Sequence, residues 1–145
     1  MIVRGCHFPE DRHYHADFNV WVKEESPGIL SLGATDYGVA QAVEFVAFLP
    51  KAPGSEIDAG RAAGLLELSK AMVSVRSPVR GRILEANEHA VSDPSLIASD
   101  PYGAGWLIRL EVHAWEPAGL LSGAAIGPAF EAAMDLDNFS GRQQA

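Results

Sequence analysis

The sequence predicts a mainly β fold, a small sandwich or barrel of short strands with short helices and a C-terminal helix. Three observations lead there. Between Phe18 and Trp115, β-branched and aromatic runs recur at short spacing, separated by Gly- and Pro-rich turns. The stretch "WLIRLEVHAW" alternates cleanly, with Trp106, Ile108, Leu110 and Val112 on one face and Arg109, Glu111 and His113 on the other. After Pro117 the texture changes: "GPAFEAAMDLDNF" sets Phe130, Ala133 and Met134 at helical spacing behind Pro128, an N1-like residue.

The elements follow in chain order. Met1 to His15 is polar and irregular and reads as an arm or edge extension. "FNVWVKEE" alternates, with Phe18, Val20 and Val22 on one side and Trp21 off it; "SPG" turns the chain into the strand "ILSLGA". Thr35 is an N-cap candidate, with Asp36 at the positive end of a short helix. "VEFVAFLP" is a strand closed by Pro50, and "KAPGSEIDAG" is loop. "LLELS", "MVSVRS" and "GRILEAN" are strands, and "SDPSLIASDPYGAG" holds a helical turn capped by Ser92. The expected organisation is an arm over 1–16, a β domain over 17–116, a helical extension over 117–140 and a frayed tail over 141–145.

The 145 residues suit one domain, and 48% hydrophobic with 21% charged residues is a globular composition. A net charge of -8 repels phosphate backbones, so nucleic acid is not an expected partner. No run of 18 apolar residues occurs, so a membrane is not expected either. Cys6 is the single cysteine, which forbids an intrachain disulfide; with no signal-like start, a reducing, cytoplasmic setting is expected.

The segment "LELSKAMVSVRSPVRG" raises a separate question. Its two strands meet at Ser69-Lys70-Ala71-Met72, without the Asn or Gly that tight hairpin turns favour. With Lys70-Ala71 as the central pair, Leu66 faces Val75 and Leu68 faces Val73, making one face apolar. Glu67, Ser69, Met72 and Ser74 then share the other. A one-residue slip would mix the two sets. Good strand pattern around poor turn chemistry is a mark of function, and this register projects Lys70 from the apex; on spacing alone the commoner reading is a solubilising surface lysine at a loop tip.

These residues carry a family resemblance. "PGSEIDAGRAAGLLELSKAMVSVRSPVRGRILEANE" resembles the lipoyl-attachment region of the glycine-cleavage H-protein family. "GATDYGVAQAVEFVAFLP" and "DPSLIASDPYGAGWLIRLEV" resemble segments that flank it in that family, in the same order. The resemblance spans roughly Val20 to Trp115. It implies a lipoyl/biotinyl-type hybrid sandwich of two small antiparallel sheets, with lipoate covalently attached to Lys70. Glu67 and Ala71 match the family's "E-x-x-K-A" motif, which implies that Glu67 is recognised by the attaching enzyme. A lysine is ordinarily protonated, so an enzyme must deliver activated lipoate to it. The arm's disulfide is then opened by thiol exchange or by a substrate, and the tether raises the local concentration of cargo at each partner. Such a carrier catalyses nothing itself.

Two departures bear on the metabolic system. Glycine-cleavage members carry "H-E-W" where this chain has Asn19, Val20 and Trp21, and "AASD" after the lysine where it has "AMVS". "RGCHFPEDRHYHADFNVWVKEE" instead resembles the start of the H-protein-like lipoate-binding proteins of sulfur oxidation. That resemblance implies sulfur cargo and a heterodisulfide-reductase-like complex as partner. Glycine cleavage, with an aminomethyl cargo, is the alternative. Dihydrolipoamide dehydrogenase is a possible partner in either. An unmodified paralogue acting as an interaction protein is a further alternative. A biotin carrier is disfavoured, because that family places Met on both sides of the lysine, where Ser69 and Ala71 stand here.

Other clusters are weaker. His7, Glu10, Asp11, His13 and His15 suggest a metal site only by proximity, and packing of a polar arm is the expected reading. Cys6 is expected to be a small packing residue rather than a reactive thiol. Lys70, Arg76, Arg80 and Arg82 crowd 13 positions, as a docking patch or, by preference, as solvated strand faces.

Overall fold

The computed structural model describes residues 1–113, 115–117 and 119–142. Eleven strands and four α-helices occur among them, in three antiparallel sheets. A six-stranded sheet runs β3-β4-β5-β11-β10-β7: His13–His15, Val20–Ser26, Ile29–Ala34, Ile108–Glu111, Gly81–Ala86 and Glu56–Ile57. A three-stranded sheet runs β6-β8-β9: Phe45–Pro50, Ala62–Leu68 and Met72–Arg76. A short ribbon pairs β1 (Ile2–Val3) with β2 (Cys6–His7). The mainly β sandwich expected from the sequence is the architecture observed.

Period-two alternation explains the main core. Val20 and Val22, Leu30, Leu32 and Ala34, then Ile108 and Leu110, all point inward from the large sheet. Phe45, Phe48, Leu66 and Val75 meet them from the small one. Each such side chain removed from water contributes roughly 1.5–3 kcal/mol. On the solvent side of β11, Arg109 pairs with Glu85, and Arg82 reaches Glu111 at 2.7 Å.

A second core lies on the opposite face of the large sheet. Tyr14 and Trp21 stand opposite one another in register, so both project to that side. Val3, Cys6, Phe8, Tyr37, Ile126, Phe130 and Met134 close over them. The first 16 residues, read from the sequence as an arm or edge extension, thus supply β1, β2 and β3. Their bulky side chains lie beneath helix α4 (Ile126–Leu136). Hydrogen bonds satisfy the polar tips: Trp21 Nε1 donates to Pro101 O at 3.0 Å and Tyr37 OH to Asp137 at 2.6 Å.

Several local expectations change. Trp106 leaves the face of Ile108 and Leu110; β11 begins only at Ile108, and Trp106 packs against the second core with the Arg109 guanidinium 4.1 Å from its ring centroid. Ser92 ends helix α2 (Glu88–Ser92) instead of capping a helix. Before helix α3 (Ser95–Ser99) the cap-like contact comes from Asp93, which accepts from Ser95 N at 3.2 Å. Pro128 sits inside the first turn of α4, which starts two residues earlier and leaves the missing N–H harmless. Thr35 caps helix α1 (Asp36–Ala42) as expected, accepting from Gly38 N at 3.0 Å. Arg142 N donates to Arg4 O at 2.8 Å and its guanidinium pairs with Asp36, so the chain is held through Arg142. The remainder of the expected frayed tail, residues 143–145, lies outside the described residues.

Candidate functional site

The β8–β9 hairpin carries the site. Its observed register pairs Glu67 with Met72, Leu66 with Val73 and Leu65 with Ser74. This corrects the expected pairing of Leu66 with Val75. Ser69-Lys70, not Lys70-Ala71, lie at the centre of the turn, and Leu68 N donates to Ala71 O at 2.7 Å. Further down, a bulge between Ala62 and Gly64 shifts the pairing by one more residue. The pairing moves by a whole pleat, so facing is conserved: Leu66 and Val73 still point toward the cleft, and Glu67 and Met72 away from it. None of Ser69, Lys70 and Ala71 has positive φ, which removes the need for Gly or Asn. The turn is unstrained, and its composition alone no longer singles out the lysine.

Lys70 is exposed at the tip, and among the described residues it makes no ion pair. Ala71 is exposed beside it, and Glu67 is half-buried one strand position below. Rigidity below the tip comes from β8, which is paired on both sides, by β6 and β9.

Beneath the tip lies a cleft of about 620 Å³ between the two sheets. The hairpin contributes Leu66, Val73, Ser74 and Arg76 to one wall, and the 17–20 segment faces them. That opposite lip is held firmly. Asn19 adopts φ 54°, which asparagine tolerates, and its side chain accepts from Thr35 Oγ1 at 3.1 Å. Phe18 stacks on His15 at 3.8 Å, while the Arg76 guanidinium lies 5.7 Å from its ring centroid. His15 Nδ1 accepts from Phe18 N at 3.2 Å. Burial holds the His15 pKa below the usual imidazole value, with Asp17 opposing.

The remaining candidates disperse. Arg80 pairs with Asp58 at 3.6 Å and Arg82 with Glu111 at 2.7 Å, so the basic residues do not form one bare patch. His13 packs edge-on to Trp115 while His15 stacks on Phe18. No group of three His, Cys, Asp or Glu stands close enough to hold a metal among the described residues. Cys6 is fully buried, and burial above all raises its thiol pKa, opposite to what a reactive thiolate needs. Sequence reasoning missed the cleft itself, with Phe18, Asn19 and Gln41 in its wall. Its two lips come from segments far apart in the chain, and no local pattern announces their meeting.

Comparison with known proteins agrees with this geometry. The family described as "Glycine cleavage H-protein" matches residues 12–126. Glycine cleavage system H protein 5 of Aquifex aeolicus is 37% identical over 75% of this chain and 76% of its own length. H protein 2 of the same organism is 35% identical over 74% of this chain and 67% of its own. The crystal structure of a glycine cleavage system H protein from Mycobacterium marinum superposes with a TM-score of 0.73 at 29% identity, covering 90% of this chain and 99% of that one.

Proposed function

The chain belongs to the glycine cleavage H-protein family, and from that premise we propose that Lys70 is its lipoyl attachment point. Members of this family carry lipoate covalently on a lysine and act as non-catalytic carriers. The observation that carries the proposal is the exposed Lys70 at the tip of a rigid hairpin whose strands line an apolar cleft. An attaching enzyme can reach the amine without moving the fold. Glu67 and Ala71 are the residues beside it that such an enzyme reads. Once attached, lipoate supplies a disulfide that opens and closes. The hairpin supplies position and the cleft a sheltered place for the arm's end.

For the cargo, the favoured reading is a sulfur intermediate passed to a heterodisulfide-reductase-like complex in the cytoplasm. Support comes from the N-terminal segment and from the departures at Val20 and Ser74, both of which line the cleft. The aminomethyl group of glycine cleavage is the second reading, favoured by the names of the relatives. Dihydrolipoamide dehydrogenase would reoxidise the arm in either system. Among the described residues no helix is long and apolar enough to cross a membrane.

Intact mass after expression with a lipoate-attaching enzyme, followed by peptide sequencing, tests the attachment. Wild type gains one lipoyl group on Lys70, and Lys70→Arg gains none while keeping its thermal midpoint, because the side chain is exposed. Added mass on any other lysine rejects the assignment. Efficient acceptance of an aminomethyl group from a pyridoxal-dependent decarboxylase reverses the choice of cargo.

A further inference from the structure

We infer that the outward face of the β6-β8-β9 sheet is the docking surface for the lipoate-attaching enzyme, which meets it with an apolar patch rimmed by carboxylates. This rests on the lipoyl-carrier reading and deepens it, because recognition then extends along the whole sheet instead of stopping at Glu67 and Ala71.

Apolar exposure is the first support. In register, Leu49 pairs with Leu65, and Glu67 pairs with both Ala47 and Met72, so these residues share the side turned away from the cleft. Leu49, Leu65 and Met72 are 50%, 39% and 51% exposed, and Val46, in the bulge between Phe45 and Ala47, is 47% exposed. Large apolar side chains scattered singly over a surface need no explanation, but a group of them on one sheet face does.

Charge is the second. Eleven Lys and Arg residues stand against nineteen Asp and Glu, and seven of the eleven pair with a carboxylate. The four without such a partner among the described residues are Lys51, Arg61, Lys70 and Arg76, all exposed and all on this sheet or at the ends of its strands. Lys51 N donates to Ala63 O at 2.9 Å, Ala62 pairs with Arg76, and Ser77 N donates to Arg61 O at 3.0 Å. Lys51, Arg61 and Arg76 are thereby gathered at the end of the sheet remote from the turn, with Lys70 at the other end. Glu67 is the single acidic residue of the three strands. Free cations at both ends of an apolar face, on a chain of net charge -8, complement carboxylates set around an apolar centre. A second copy meeting this face in two-fold fashion would set these cations against each other.

Reach selects the attaching enzyme among acid-rimmed partners. Its substrate is the bare amine, which extends from the turn only by a four-carbon stem, so the enzyme has to press against the hairpin itself. Partners that act on the finished arm meet its far end and can stand clear. The 17–20 segment faces the inner side of the hairpin across the cleft, which leaves the outer side for a large body.

The test measures lipoylation of the full unmodified chain by the attaching enzyme, with the added mass placed on Lys70 by peptide sequencing and each variant's thermal midpoint recorded. Lys51→Gln with Arg61→Gln is the charge variant, Leu65→Ser the apolar one. Lys23→Gln with Arg82→Gln removes the same two charges from the large sheet as a control. At low ionic strength the charge variant should lose about 10-fold in kcat/KM with kcat kept, and the loss should shrink in high salt. Leu65→Ser should lose about 5-fold at every salt concentration, and the control should match wild type. If Leu65→Ser also loses stability, the charge variant decides. Wild-type kcat/KM in the charge variant overturns the inference and leaves the carrier intact, as does an equal loss in the control, which would mean a general field. A dimer in sedimentation that Leu65→Ser abolishes gives the face to a second copy and overturns it too. A chain that gains no lipoyl group on Lys70 removes the carrier reading and this inference with it.

Discussion

Lys70 and His15 are two residues whose roles are set by surroundings rather than by type. Lys70 needs only to be reachable, and the sequence already placed it on a hairpin tip. His15 needs its neighbours to be understood. Stacked on Phe18 and partly desolvated, it resists protonation in the folded state, where the usual value is 6.5. In the window just below 6.5 the unfolded chain therefore binds more protons than the folded one, and stability falls as pH falls through it. Above that window both states hold the neutral ring and the effect vanishes. Denaturation midpoints measured across the window should slope less steeply in His15→Gln than in wild type; equal slopes would assign the effect to another group. Asp11, held below the usual carboxylate range first by its hydrogen bond to Arg12, acts at lower pH and leaves this window clear.

Among the elements, the hairpin and the β4–β5 pair show how a local pattern meets a tertiary constraint. Alternation in "LLELS" and "MVSVRS" correctly sorted inward from outward residues, because side-chain facing depends only on period two. It did not set the register, since a shift by a whole pleat preserves every facing, and the turn closes instead with Leu68 N donating to Ala71 O. Gly33 is a clearer case of tertiary control. It lies opposite Trp21 in register, and a Cβ there would stand 2.5 Å from the indole. The missing side chain is what lets Trp21 lie flat and reach Pro101 O. Gly33→Val should displace the indole and lower stability by about 1–3 kcal/mol, read by chemical denaturation with the Trp emission shifted toward that of exposed indole. Wild-type stability in that variant would show that the sheet yields more easily than the close approach implies.

At the scale of the whole molecule, two cores share one sheet and carry different duties. The main core aligns the hairpin over the cleft. The second binds the first 16 residues to α4 through Phe8, Tyr14, Trp21 and Phe130. Phe130 is fully buried against Phe8, whose ring centroid is 4.3 Å away. Phe130→Ala should cost about 3–5 kcal/mol and expose the first 16 residues to limited proteolysis, while enzymatic lipoylation of Lys70 proceeds at the wild-type rate. A matching fall in lipoylation would show that the two cores are coupled. The sequence by itself determined the strand faces, the helix cap at Thr35 and the presence of a lysine between two strands. Each follows from the spacing of neighbouring residues. Only the tertiary structure decided the hairpin register, the burial of the expected arm and the meeting of Phe18 with Arg76 across a cleft. Those depend on contacts between segments distant in the chain, where free energy is gained only once both partners are in place.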